Sequence, residues 1–272
     1  LAAIKAILDS DLDNALKAEQ LTLPSFDEMA DSIANVEPQA LVTAISTFKS
    51  QIARALEPEL KHCYQLLNID EFSKSGQAIA DRALKNVCLS YLAATSSASL
   101  VETQFNNANN MTDQLAAIKY AALNALDCFD SIMAKFANQW QGNSLVMDKW
   151  FTVSALFNDK DIFNRLSSLL SHPEFTLENP NRARALIGAF AFYNSKYFHD
   201  KSGKGYLFLA QQIEKLNKIN PQVAARIITP LIQYASFADD SQKLMLEQLN
   251  KLKSVEDLCR DLQEKLDAAL SD

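Results

Sequence analysis

Apolar residues in this chain return every three to four positions almost from end to end, a period that predicts amphipathic helices rather than strands. Ile4, Ile7, Leu8, Leu12 and Leu16 make one such stripe over residues 1–17. After Pro24, Ser25 and Glu28 have the spacing of a capping box and restart the chain. A helix from Pro38 carries Leu41, Ile45, Phe48, Ile52 and Leu56, and Pro58 bends it before residues 60–67 continue. Ile79, Leu84, Val87, Cys88 and Tyr91 form the buried stripe of residues 75–95. A polar break at Ser96 to Ser99 leads into shorter helices over 100–108, 111–126 (with Thr112 as its cap), 129–139, 144–157 and 159–170. Gly142-Asn143 is the clearest turn among them. The loop at 200–205 precedes a helix over 206–217, and residues 239–253 and 254–270 close the chain with a charged outer face, as a terminal repeat requires.

About fourteen helices in short-loop pairs predict an all-α fold: a superhelix of antiparallel helix pairs, an α-solenoid of the HEAT or armadillo kind. No segment has the composition of a linker, so residues 1–272 read as a single domain. Two stretches stand out within it. Asn179-Pro180-Asn181-Arg182-Ala183-Arg184 and Asn220-Pro221-Gln222-Val223-Ala224-Ala225-Arg226 each open as an N-cap followed by proline in the first turn, where the missing N–H costs nothing. Cations are disfavoured at that end of a helix, which already carries partial positive charge. Arginines placed there suit a carboxylate or phosphate supplied from outside the helix. Pro180 and Pro221 are 41 residues apart and Arg184 and Arg226 are 42 apart, within the period of about 40 to 47 residues of two-helix repeats. Equivalent turns of successive repeats would then present arginine on the same side. Ordinary surface arginines near helix starts would give the same pattern.

At 100° per residue, Ala183, Leu186, Ile187 and Phe190 form the apolar face of the first helix, and Arg182 and Arg184 lie to either side of it. Periodicity does not choose between them. In the second, Val223, Ile227, Leu231 and Tyr234 form the stripe, with Gln222 and Arg226 as an i, i+4 pair beside it and Pro230 bending the helix.

Five glycines in 272 residues, against a usual share of about 7%, are too few for hairpin-rich β structure. A net charge of −7 argues against non-specific nucleic-acid binding, which needs a basic face. No apolar run approaches the roughly 20 residues of a membrane span. Cys63, Cys88, Cys128 and Cys259 lack metal-ligand spacing and read as buried free thiols of a reducing, cytoplasmic compartment. His62, His172 and His199 are isolated, no H-E-x-x-H, G-x-S-x-G or phosphate loop is present, and the carboxylates fall on solvated faces. The expectation is no catalytic centre, metal site or cofactor within these residues. The chain starts at Leu1 without an initiator Met, as a piece of a longer protein would.

Several blocks in order carry a family resemblance. They are Asp81-Arg82-Ala83-Leu84-Lys85-Asn86-Val87-Cys88, Asn107-Ala108-Asn109-Asn110-Met111-Thr112-Asp113, Asn143-Ser144-Leu145-Val146-Met147-Asp148-Lys149-Trp150-Phe151, the stretch from Asn179 to Phe190, Gly205-Tyr206-Leu207-Phe208-Leu209, and Asn220 to Arg226. Together they resemble the C-terminal helical domain of bacterial aminopeptidase N, in the M1 family of zinc metallopeptidases. The resemblance implies a parent enzyme that removes N-terminal amino acids from peptides with one zinc ion held by preceding domains. It implies that this domain covers the catalytic domain, narrows access to the cavity and supplies arginines on the side of the leaving peptide. Arg184 and Arg226 match those arginines and Gln222 a nearby polar residue; Arg182 has no such match. The partners implied are the preceding catalytic domains and peptide substrates. A reading from another class is an independent helical-repeat scaffold that binds peptides or proteins.

Overall fold

The computed structural model describes residues 1–69, 71–95 and 97–271; Ser96, where the polar break was expected to begin, lies outside them. The described residues are helical with short connections, and their one bridge of β type joins Val36 and Phe237. The α-helices are α1 (Ala2–Asp9), α2 (Asn14–Leu21), α3 (Phe26–Ala30), α4 (Pro38–Ala55), α5 (Glu57–Leu66), α6 (Gly76–Leu92), α7 (Ala98–Asn107), α8 (Met111–Leu123), α9 (Phe129–Trp140) and α10 (Ser144–Ala155). There follow α11 (Ile162–Leu170), α12 (Pro180–Ala183), α13 (Ala189–Tyr193), α14 (Ser195–Phe198), α15 (Lys204–Ile219), α16 (Pro221–Ile227), α17 (Thr229–Ile232), α18 (Asp239–Lys253) and α19 (Arg260–Ala269). They gather into two compact units, one of residues 1–25 and 44–139 and the other of residues 26–43 and 140–272.

In the first unit α6 is the central element. It packs against α2, α5 and α8, and Leu84, Cys88, Leu89 and Leu92 on it are sealed from water. Full burial of each of these three leucine side chains contributes about 1.5–3 kcal/mol. Ser75 starts the helix by accepting a hydrogen bond from the Ala78 N–H, and the Tyr91 hydroxyl donates to the Leu21 carbonyl at 2.6 Å. Three sequence expectations are corrected here. Residues 1–17 are two helices, because Asp13 caps a second one through the Ala15 N–H. Leu12, Leu16, Phe48 and Ile79 are exposed, since each stripe proved narrower than its periodicity. Helix α8 is capped by Asn110, whose side chain accepts from the Asp113 N–H, and not by Thr112.

Asp113 also overturns the reading that every carboxylate is solvated. It is buried, with Lys85 Nζ at 2.6 Å and Asn86 Nδ2 at 2.8 Å. Gln104 Nε2 donates to Asn86 Oδ1 and to the Asp113 carbonyl, and the Tyr64 hydroxyl donates to Gln104 Oε1. With both charges paired and hydrogen-bonded, the burial is tolerated.

The second unit has an aromatic centre. Phe198, Phe237, Phe26 and Tyr206 surround His199 with ring centroids 4.7–5.6 Å away. The imidazole Nδ1 lies 2.9 Å from the Tyr206 hydroxyl. Burial pushes the His199 pKa down to about 3, so the ring is neutral. Gln39 Nε2 donates to the carbonyls of Lys196 and His199, which ties α4 to this centre.

Candidate functional site

Both arginine-bearing starts lie in the second unit. At the first, Asn179 accepts from the N–H groups of Asn181 and Arg182, and Pro180 occupies the first turn, as the sequence predicts. At the second, Pro221 is in place while the Asn220 side chain makes no cap bond, a correction to the N-cap reading. Helix α16 stops at Ile227 and α17 begins with Pro230 in its first turn, so the proline ends a helix instead of only bending it. Tyr234 consequently leaves the predicted stripe, and its hydroxyl donates to the Ala269 carbonyl.

Arg182 and Arg184 have different environments. Arg182 is 2% exposed. Its Nε donates to Asp148 Oδ1 at 2.6 Å, Nη1 to the Glu174 carbonyl at 2.8 Å, and Nη2 to the carbonyl and hydroxyl of Ser144 at 3.3 Å. Its guanidinium carbon also sits 4.7 Å from the Phe151 ring centroid. This is the carboxylate that a cation in a first turn calls for, and it comes from within the fold. Arg184 is exposed, and its side-chain Nε donates to the Pro180 carbonyl at 2.9 Å. Gln222 and Arg226 are exposed on α16, while Val223, Ala224, Ala225 and Ile227 are buried. Among the described residues neither Arg184 nor Arg226 pairs with a carboxylate.

Residues Arg184–Gly188 form one π-helical turn between α12 and α13, closed by the Ala189 N–H on the Arg184 carbonyl. An i→i+5 turn holds one residue more than the helix on either side, and such bulges are frequent at functional positions. Helix α16 packs on this turn. At Gly188 a Cβ would meet both Ile227 Cγ2, at 3.7 Å, and Arg184 Cβ, at 3.8 Å. The base of Arg184 and the residue after Arg226 therefore border the same crossing. Sequence periodicity carried no sign of the π turn, because a 100° count assumes an unbroken α-helix. It also missed an open groove of about 280 Å³ beside the first start, lined by Leu170, Phe175, Leu177, Glu178, Gln212 and Lys215 among others.

Among the described residues no group of three or more His, Cys, Asp or Glu side chains could hold a metal ion. The resemblance places the implied zinc in preceding domains and assigns it no ligand among these residues. No described helix is long and apolar enough to cross a membrane.

Fold and site together define an all-α helical-repeat domain. The chain belongs to the family described as "Domain of unknown function (DUF3458_C) ARM repeats", which matches residues 1–271. It is 41% identical to aminopeptidase N of Haemophilus influenzae over 272 residues, covering 99% of this chain and 31% of that protein. It is 42% identical to aminopeptidase N of Escherichia coli over 268 residues, again 31% of that protein. A crystal structure of Legionella pneumophila aminopeptidase A in complex with aspartic acid superposes with a TM-score of 0.89 at 25% identity, covering 99% of this chain and 33% of that one. The chain thus spans about a third of the length of the relatives it matches, and its resemblance to aminopeptidase N holds throughout.

Proposed function

We propose that residues 1–272 are the C-terminal helical domain of a cytoplasmic, zinc-dependent aminopeptidase of the M1 family. The domain covers a catalytic domain that precedes it, narrows the way to the cavity, and turns Arg184 and Arg226, with Gln222 beside them, toward the leaving peptide. The observation that supports this most is the contrast among the arginines. Arg182 is paired with Asp148, whereas among the described residues Arg184, just past the end of α12, and Arg226, in the last turn of α16, are exposed and have no carboxylate partner. A guanidinium in that state can bind a peptide carboxylate or carbonyl from outside. The metal chemistry belongs to the other domains, and these residues bind and orient the peptide.

The test is to remove this chain from the parent enzyme and add it back. Peptide hydrolysis should fall on removal and recover on addition. No loss on removal would contradict the docking role and favour an independent scaffold.

A further inference from the structure

The open groove beside the first arginine-bearing start has no part in the arginine account, and its lining residues all belong to the second unit. One wall is α15, where Gln212, Lys215 and Ile219 follow one another at i, i+3 and i+7 and so share a face. The other is the end of α11 at Leu170 and the connection from there to α12. That connection is anchored from behind. Arg182 Nη1 donates to the Glu174 carbonyl at 2.8 Å, and the Phe175 and Phe151 ring centroids are 5.8 Å apart.

Several groups along these walls are unsatisfied. Gln212 is only 3% exposed, yet its Oε1 has no hydrogen-bond partner among the described residues. An unpaired buried acceptor is destabilising, and each one calls for an explanation. On the facing wall Thr176 and Leu177 lie outside any helix, and among the described residues their backbone groups make no hydrogen bond. Ile219 is 47% exposed although its side chain is large and apolar. Lys215 and Glu178 add an exposed ammonium and an exposed carboxylate.

We propose that this groove is a binding site for a free dipeptide with aliphatic side chains. A glutamine carboxamide carries an acceptor beside a donor, and a peptide group offers the complementary pair. Rotation about the soft terminal torsion of Gln212 turns Oε1 to the ligand's peptide N–H. The ligand's side chains cover Leu170, Phe175, Leu177 and Ile219, and its ammonium and carboxylate ends lie toward Glu178 and Lys215. Size sets the length: about 280 Å³ lies just under the range of about 300–1,000 Å³ usual for small-ligand sites, which suits two residues. A purely apolar ligand would leave Gln212 unpaired, and a bare anion would leave the apolar walls wet and face Glu178. The site does not depend on the role given to Arg184 and Arg226, neither of which lines it.

The probe is a dipeptide of two photoleucine residues, a diazirine analogue of leucine, mixed on ice with the full-length protein and irradiated at once. Digestion and mass spectrometry then locate the adducts. Adducts with the mass of the intact dipeptide should fall within residues 170–178 and 212–219, and an excess of leucyl-leucine should suppress them. Gln212→Leu keeps the apolar shape and removes the carboxamide, so it should cut labelling of both segments about fivefold, the loss expected for one hydrogen bond. Lys215→Glu, at an exposed position that folding does not need, should lower it as well. No adduct in either segment, adducts that leucyl-leucine does not suppress, adducts of single-residue mass only, or labelling unchanged in both variants would overturn the assignment. Because the readout is the place of labelling and not peptide hydrolysis, it is independent of the test of the arginines.

Discussion

Truncating Arg182 would strand the Asp148 carboxylate, whose Nε partner at 2.6 Å disappears, and would remove a donor from each of the Glu174 and Ser144 carbonyls. Breaking one side of a buried, charge-assisted pair costs on the order of 3–5 kcal/mol, so Arg182→Ala should shift the urea midpoint far down. Arg184→Ala should stay within about 0.5 kcal/mol of the parent, as exposed substitutions do. Equal midpoints for the two variants would contradict the division of roles. His199 gives a second test at this scale. Its folded pKa near 3 lies below the unfolded value of 6.5, so the unfolded chain binds the extra proton as pH falls from about 6.5 toward 3. Stability contributed by the neutral ring is complete above pH 6.5 and is lost through that window, by up to about 1.4 kcal/mol per pH unit. The His199 ring resonances in NMR should stay those of a neutral imidazole down to pH 5, whereas a midpoint near 6.5 would refute the packing account. Periodicity placed both arginines beside the apolar face but could not tell them apart. The distinction rests on Asp148, 34 residues away in sequence and adjacent only after folding.

Helix starts and stops were the most legible features. The proline in the first turn at 180 and at 221 and the bounds of α18 follow from local chemistry, whereas Pro230 read as a bend and ends the helix. What stayed hidden depends on partners across helices. The π turn at Arg184–Gly188 has no local signature, and the Lys85–Asp113 pair links two sequence blocks that only packing brings together. The same dependence separates two glycines. A Cβ on Gly205 would lie 2.2 Å from the Phe198 carbonyl oxygen and 2.6 Å from its Cα, both backbone atoms that cannot move alone. Gly205→Ala should therefore cost about 3 kcal/mol or more by calorimetry or denaturant melts. Gly188→Ala meets only ordinary contacts at 3.7 and 3.8 Å and should be neutral to stabilising by up to about 1 kcal/mol, because glycine is a poor helix former. The opposite ranking would mean that the close approach of α14 and α15 at Gly205 is misassigned.

At the scale of the molecule, the all-α repeat class was readable from glycine scarcity and the 3.6-residue period, while the division into two compact units was not, since no linker composition marks it. Any activity is proposed for the longer protein, because this chain spans about a third of the length of its relatives. Arg184 and Arg226 are proposed to act on the part of the substrate beyond the cleaved bond. A substrate that ends at that bond, such as an amino acid joined to a chromogenic leaving group, has nothing for them to hold. The most direct measurement is kcat/KM for the intact enzyme carrying Arg226→Ala, or Arg184→Ala, on a tetrapeptide and on such a single-residue substrate. Loss of one charge-assisted contact should lower the tetrapeptide value roughly tenfold or more and leave the single-residue value nearly unchanged. An equal fall on both substrates, or none on either, would contradict the role given to these two arginines.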